Sequence, residues 1–301
     1  MSWTEVRIPA TSANLGPGFD ALGMALSIYL TCRFRPHDRL VIRAEGRDAA
    51  LISTREDNLI WQTALNVAEA VGRPLPPIEL VVINDIPIGK GLGSSAAALT
   101  AGVVIASEIL GLDWDAHKIL DEAARIEGHP DNVSACVLGS ICASAIDDDG
   151  VARAVRMQLP ARYGVAIIVP DFPLPTSEAR AVLPSTYSRT DAVFNVQRSA
   201  LLIAALLTAT TDAFPAALQD RLHQPYRQHL VPGLEQMLKM RAPGLLGCAL
   251  SGAGPSVLVF YERGAEHICE EFKRIFAAHG HDSTILWAHI PDHGYDLLHA
   301  L

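Results

Sequence analysis

The chain has 301 residues, 50% of them hydrophobic and 19% charged, with 24 Lys and Arg against 33 Asp and Glu. That length and apolar content predict a buried core divided between two domains, and they exclude disorder along the whole chain. A formal charge of −9 excludes a broad basic face for nucleic acid or anionic lipid, yet leaves room for a local basic pocket that binds a phosphorylated small molecule.

The first third reads as strands broken by turns. A strand at residues 6–9 leads into a polar, glycine-bearing segment, 10–20, and residues 27–34 and 40–44 read as half-buried strands. Asp57-Asn58 opens a predicted helix at 59–71, ended by Gly72 and Pro74, and residues 79–83 form a buried strand. The glycine-rich stretch from Pro87 to Ala98 follows, running into a helix of small and apolar residues to about Leu110, which should be buried. A helix at 116–126 precedes Glu127-Gly128-His129-Pro130-Asp131-Asn132-Val133. Asp147-Asp148-Asp149-Gly150 reads as a solvated hairpin turn rather than a metal site, and a domain boundary is placed there, dividing the chain into 1–150 and 151–301. The second half predicts strands at 165–169, 257–261 and 283–289, and helices at 193–208, 218–224 and 265–278. Strand and helix tracts alternate without a repeat, so the predicted class is α+β.

Five cysteines, Cys32, Cys136, Cys142, Cys248 and Cys269, are scattered and contain no C-x-x-C pair. They predict buried thiols in a reducing compartment rather than disulfides or a zinc ribbon. The pair His279 and His281 points only weakly to a metal. The first seven residues lack the basic and apolar regions of a leader, and the greasiest stretches, 96–106 and 200–207, are shorter than the ~20 residues of a bilayer span. The expectation is a soluble, cytoplasmic protein with no membrane or nucleic-acid partner.

Gly89, Gly91 and Gly93 lie between a strand and a helix beginning near Ser94-Ser95. Glycines permit positive φ and close backbone approach, and a helix N-terminus offers unpaired N–H groups, so this segment suits the phosphates of a nucleotide. It fits neither the G-x-x-x-x-G-K-[ST] nor the G-x-G-x-x-G pattern. A tight strand-to-helix turn that binds nothing is the alternative.

The stretch Pro87-Ile88-Gly89-Lys90-Gly91-Leu92-Gly93-Ser94-Ser95-Ala96-Ala97 resembles the ATP phosphate loop of the GHMP kinases, small-molecule kinases of galactose, homoserine, mevalonate and phosphomevalonate. Pro9-Ala10-Thr11-Ser12-Ala13-Asn14-Leu15-Gly16-Pro17-Gly18-Phe19-Asp20 is similar to the family's first motif in its homoserine kinase form, and Ser251-Gly252-Ala253-Gly254-Pro255-Ser256 to its third. The segment 127–133 also resembles homoserine kinases, and the likeness spans essentially the whole chain. It implies an N-terminal ribosomal-S5-domain-2-like domain and a C-terminal ferredoxin-like one, with ATP and substrate between them. The implied reaction is Mg2+-dependent phosphorylation of L-homoserine by ATP to O-phospho-L-homoserine, on the route to threonine, and the implied assembly is a homodimer.

The resemblance assigns the site residue by residue. Pro87, Ile88, Gly89, Lys90, Gly91, Leu92, Gly93, Ser94 and Ser95 would hold ATP, although Lys90 reads equally well as a solvent-facing side chain. Asn58 would face the adenine, or serve simply as a helix N-cap. Ser94 and Glu127 would bind magnesium, with the reservation that longer relatives separate this glutamate from the histidine. Thr176, Arg180 and Arg227 would take the amino acid, the two guanidinium forks suiting its carboxylate. Asn14, Asp20, His129, Asn132, Gly252 and Ala253 would line the rest. Mevalonate- and galactose-type relatives carry an aspartate near Asn132, so the obvious base is missing here. The implied mechanism is direct attack by the hydroxyl, oriented by Asn14, Asp20 and Asn132, with its proton passing to the phosphate. The rival readings are another GHMP-type kinase, acting on mevalonate or a sugar, and a non-catalytic ATP- or metabolite-binding module.

Overall fold

The structure, a computed structural model, describes residues 2–299. Three strands open it: β1 (Thr4–Ala13), β2 (Leu22–Pro36) and β3 (Val41–Gly46). Helix α1 (Leu59–Ala70) follows, capped by the Asn58 side chain, which accepts the N–H groups of Ile60 and Trp61. Next come β4 (Ile78–Asn84), α2 (Ser94–Leu110), α3 (Ala116–Glu127), α4 (Asp131–Leu138), β5 (Ile141–Ile146) and β6 (Ala152–Met157). As its composition predicts, α2 is buried on nearly every side, and Gly102 lets it approach α1 so closely that an added Cβ would meet Ile60 O at 2.6 Å.

β2 organises the larger sheet. Residues Leu22–Met24 pair with β5 while Leu30–Pro36 pair with β4, and β1 lies along both halves. The seven strands run β11-β1-β2-β4-β3, with the β5–β6 hairpin attached to β2, and only β3 and β4 are parallel. The hydrophobic core lies between this sheet and α1 to α4.

The remaining elements are β7 (Tyr163–Pro170), α5 (Thr176–Ala181), α6 (Arg189–Thr208), α7 (Phe214–Ala217), α8 (Gln224–Arg227), α9 (Leu234–Lys239), β8 (Leu245–Leu250), β9 (Val257–Glu262), α10 (Cys269–Ala278), β10 (Ser283–Ala288) and β11 (Asp296–His299). The smaller sheet is antiparallel, ordered β10-β7-β9-β8. Relabelled by sequence, that is 4-1-3-2, the ferredoxin-like order.

Several expectations change. The turn at 147–150 joins β5 to β6 within one hairpin, its Asp147 carboxylate accepting the Asp149 and Val151 N–H groups. A division at 150 therefore cuts a hydrogen-bonded ladder, and the C-terminal β11 returns to pair with β1 in the N-terminal sheet. Residues 218–223, predicted with 224 as one helix, are not helical, and Gln224 instead opens the short α8. The buried Asp220 carboxylate accepts the N–H groups of Leu222, His223 and Gln224, replacing helical hydrogen bonds with a side-chain-bonded turn. By length and composition alone α6 is apolar enough to cross a membrane, contrary to the expectation of no such segment. Here it packs on the protein instead, with Asn195 and Ser199 donating to Pro17 O. All five cysteines are free and buried, as predicted.

Candidate active site

Glycine placement starts the site. Gly91 and Gly93 have φ of +71° and +67°, backbone that side chains rarely adopt. A Cβ on Gly91 would overlap Ser251 O and come within 2.6 Å of Gly254 O; one on Gly93 would overlap Thr11 Oγ1. The loop is glycine-rich because it is wedged between the two other motifs. Hydrogen bonds stitch the three together: Thr11 N–H to Leu92 O at 3.0 Å, Gly252 N–H to Ala13 O at 3.1 Å, and Ser251 Oγ to Gly91 O at 2.8 Å. Asn14 Nδ2 also donates to Gly252 O at 3.0 Å.

These contacts frame a cavity of about 440 Å³, within the usual size range of small-molecule sites. Every sequence-predicted site residue lines it except one. Lys90 is that exception: its ammonium turns away to donate to Pro170 O at 2.9 Å, and burial lowers its pKa. Asn58 faces the cavity, but its amide is occupied by the α1 cap and by Ser53 O, so the cap reading holds for those atoms. The wall beside it, including Leu51, Ile52, Leu59 and Val82, is apolar, and nothing in the sequence marked those residues.

Two arginines reach the cavity from α5 and α8. Arg180 is half-exposed and pairs with Asp20, Nη2 to Oδ1 at 3.0 Å. Arg227 is only 2% exposed, donating from Nε to Ala179 O at 2.9 Å and from Nη1 to Gly252 O at 3.2 Å. Burial, reinforced by the charge of Arg180, lowers its pKa to about 10, which still leaves it cationic at neutral pH. Among the described residues no carboxylate lies within ion-pair distance of Arg227. The Phe19 ring sits beneath both guanidiniums, 5.9 Å from Arg180 and 5.6 Å from Arg227. A buried cation lacking an anion is costly unless a ligand supplies one.

The end of α3, the turn after it and the start of α4 contribute Glu127, His129 and Asn132 in turn. Sequence reasoning missed the residue that fixes the last two, Asp131, which is buried and whose Oδ1 takes both the His129 Nδ1 contact and the Asn132 N–H, each at 2.7 Å. Asn132 Oδ1 in turn accepts Thr11 Oγ1–H at 2.7 Å. Burial pulls the His129 pKa down, but the Asp131 hydrogen bond and the charges of Asp131 and Glu127 outweigh it and raise the pKa. Burial raises the pKa of Glu127, whose carboxylate receives no hydrogen bond from the described residues and lies 3.8 Å from His129 Nε2. A partly buried, underpartnered carboxylate and the Ser94 hydroxyl at the start of α2 line the same cavity and are hard oxygen donors of the kind Mg2+ takes, so the residues fit that ion. Asp20, His129 and Asp131 also bring ligand atoms within 4.8 Å of one another, but imidazole suits magnesium poorly and Asp20 is paired with Arg180.

A phosphate-binding loop on an α+β frame, facing paired guanidiniums across one cavity, defines a small-molecule kinase. Family models agree: that for the GHMP kinases N terminal domain matches residues 58–140, and that for the GHMP kinases C terminal matches 202–278. The chain is 65% identical to a homoserine kinase of Solibacter usitatus over 99% of this chain and 98% of that one. It is 46% identical to one of Deinococcus radiodurans, over 86% and 84%. The crystal structure of homoserine kinase from Cytophaga hutchinsonii superposes with a TM-score of 0.86 at 28% identity, over 99% and 98% of the two chains. A Lactococcus lactis galactokinase, at 14% identity and a TM-score of 0.70 over 97% and 95%, shares the fold. The chain belongs to the homoserine kinases, within the GHMP kinase family.

Proposed function

We propose that the chain transfers the γ-phosphoryl group of ATP to the hydroxyl of L-homoserine, giving O-phospho-L-homoserine and ADP. The observation that carries this reading is Arg227, a buried guanidinium with no carboxylate partner among the described residues, facing the same cavity as the glycine loop. Homoserine presents the missing carboxylate, and the Arg227 and Arg180 forks would grip it with Thr176. Mevalonate also carries a carboxylate but no ammonium, whereas Asp20 and the amide oxygens of Asn14 and Asn132 offer acceptors for one.

In this reading the loop from Pro87 to Ser95, Lys90 excepted, cradles the ATP phosphates through backbone N–H groups at the start of α2. The apolar wall near Asn58 receives the adenine. Ser94 and Glu127 would hold Mg2+, which when bound neutralises phosphate charge. Asn14, Asp20 and Asn132 orient the hydroxyl for in-line attack. Asp20 is engaged by Arg180 and held by its backbone N–H on Asn14 Oδ1 at 3.0 Å, a geometry suited to positioning rather than proton abstraction. The hydroxyl proton passes to the transferred phosphate.

A cytoplasmic location belongs to the same reading, supported by five free, buried thiols. So does a homodimer, which would cover the exposed Val193, Val196 and Leu207 on α6. The test of substrate is ADP release from Mg-ATP with L-homoserine, L-threonine, L-serine, mevalonate, galactose or no acceptor. Stimulation by homoserine above the others is expected; stimulation by galactose alone removes the roles given to Arg180 and Arg227, and stimulation by mevalonate alone removes the ammonium acceptors given to Asp20, Asn14 and Asn132.

A further inference from the structure

His223 is fully buried and does not line the cavity, yet it touches the machinery on two sides. One ring nitrogen, Nε2, lies 2.7 Å from Gly16 O; the other, Nδ1, lies 3.2 Å from Arg227 Nη1. A carbonyl oxygen and a guanidinium fix the tautomer between them. Gly16 O only accepts, so Nε2 carries the proton, and Arg227 only donates, so Nδ1 must keep its lone pair. The imidazole also stacks on Phe19 at 5.3 Å, the ring that lies beneath both arginines.

We propose that His223 is a positioning residue that aims the Arg227 fork at the carboxylate of the acceptor, by tying it to the first-motif backbone through Gly16. The proposal rests on the homoserine reading above. Arg227 has five N–H donors. Nε is fixed by Ala179 O, and Nη1 by Gly252 O and His223 Nδ1, which leaves Nη2 without a described protein acceptor. With two corners of the planar group pinned, the third is pre-aimed, and little rotamer freedom is lost when an anion binds. Without Nδ1 as acceptor, Nη1 would be held by Gly252 O alone, at 3.2 Å, and the guanidinium would be less firmly fixed against rotation about its bond to Ala179 O.

The charged groups facing the imidazole are Asp220, whose Oδ2 lies 3.5 Å from Nε2, Arg227 on the Nδ1 side, and Asp20 more distantly. Asp220 accepts N–H groups from Leu222, His223, Gln224 and Asn195. Protonation at Nδ1 would set two donors and two positive charges face to face. Burial lowers the His223 pKa and so keeps the ring neutral at ordinary pH. Acid should therefore weaken acceptor binding rather than ATP binding.

Two substitutions separate the contacts. His223→Gln can keep a donor to Gly16 O but loses the acceptor at the Nδ1 position; His223→Asn can keep that acceptor and loses the donor. Steady-state rates are measured for both and for the parent chain, with L-homoserine and with 3-aminopropan-1-ol, which is homoserine without its carboxylate. His223→Gln is expected to raise the homoserine KM about tenfold, as for one hydrogen bond to a charged group, with the ATP KM and kcat within about twofold. His223→Asn should raise it less, and the carboxylate-free acceptor should be used equally by the parent and His223→Gln. An unchanged homoserine KM, or a rise shared by homoserine, ATP and aminopropanol, overturns the inference and leaves the substrate reading intact. A parent chain that phosphorylates aminopropanol but not homoserine overturns the substrate reading and this inference with it. If His223→Gln does not fold, the 15N shifts of the parent imidazole decide: the Nε2–H tautomer, with an Nδ1 signal that moves on adding homoserine, is expected, and the Nδ1–H tautomer overturns the proposal.

Discussion

Replacing Arg227 by methionine keeps much of the side-chain volume and removes the buried charge. On the substrate side the loss is at least one charge-assisted hydrogen bond plus the attraction of a desolvated cation for a carboxylate. Together these amount to about 2–4 kcal/mol, or about 30- to 1,000-fold in kcat/KM for homoserine. On the protein side, Ala179 O, Gly252 O and His223 Nδ1 each lose a donor, at about 1 kcal/mol apiece, offset by no longer burying a cation. The fold should therefore survive, with Tm moving by no more than about 5 °C. The assay is ADP release against homoserine concentration at saturating Mg-ATP, with ATP affinity measured separately by calorimetry. Arg227→Lys should fall between the parent and Arg227→Met, because it restores the charge but not the fork. A homoserine kcat/KM within about threefold of the parent, in an Arg227→Met chain that folds and binds ATP, would refute the carboxylate assignment.

Gly91→Ala should raise the ATP KM at least about tenfold: positive φ alone costs roughly 1–2 kcal/mol, and the added Cβ meets backbone atoms of Ser251 and Gly254 that have no room to yield. An ATP titration reads it, and a parent-like KM would contradict the packing account. Glu127→Gln should do two opposite things. Because burial raises the Glu127 pKa, the native state holds its proton more tightly than the unfolded chain, so this group's contribution falls as pH rises from about 4.5 through the raised value. The glutamine should remove that part of the pH dependence and raise Tm at neutral pH without magnesium, while weakening Mg2+-dependent turnover; a lower Tm with the Mg2+ dependence intact would contradict both. Asp20→Asn, which tolerates the local φ of +54°, should retain turnover at about a tenth of the parent kcat/KM. Loss of all turnover with homoserine affinity intact would make Asp20 a base. Lys90→Met should leave the ATP KM within about threefold, since the ammonium bonds Pro170 O outside the cavity.

What the sequence made legible were residues whose chemistry depends on type and spacing. The three glycines could be read because positive φ and close approach exclude most side chains, and Arg180 and Arg227 because their short contexts carry them. Asp131 escaped notice because its value lies in one oxygen shared by His129 and Asn132, which spacing does not reveal. Leu51, Ile52 and Val82 read as ordinary apolar residues until the chain folds them around one cavity. Lys90 misleads for the converse reason: a lysine among glycines suggests phosphate, but a carbonyl distant in sequence holds it. Local pattern placed most strands and long helices within a few residues. It missed β5, β6 and β8, and it failed at 218–224, where one aspartate outcompetes helical bonding, and at β11, whose partner is nearly the whole chain away.

The most direct test of the account is 31P NMR of the purified chain with Mg-ATP and L-homoserine. The account predicts ADP together with a new phosphomonoester resonance matching O-phospho-L-homoserine, absent without homoserine and greatly reduced in Arg227→Met. ADP accompanied only by inorganic phosphate, or a phosphomonoester formed undiminished by Arg227→Met, would contradict it.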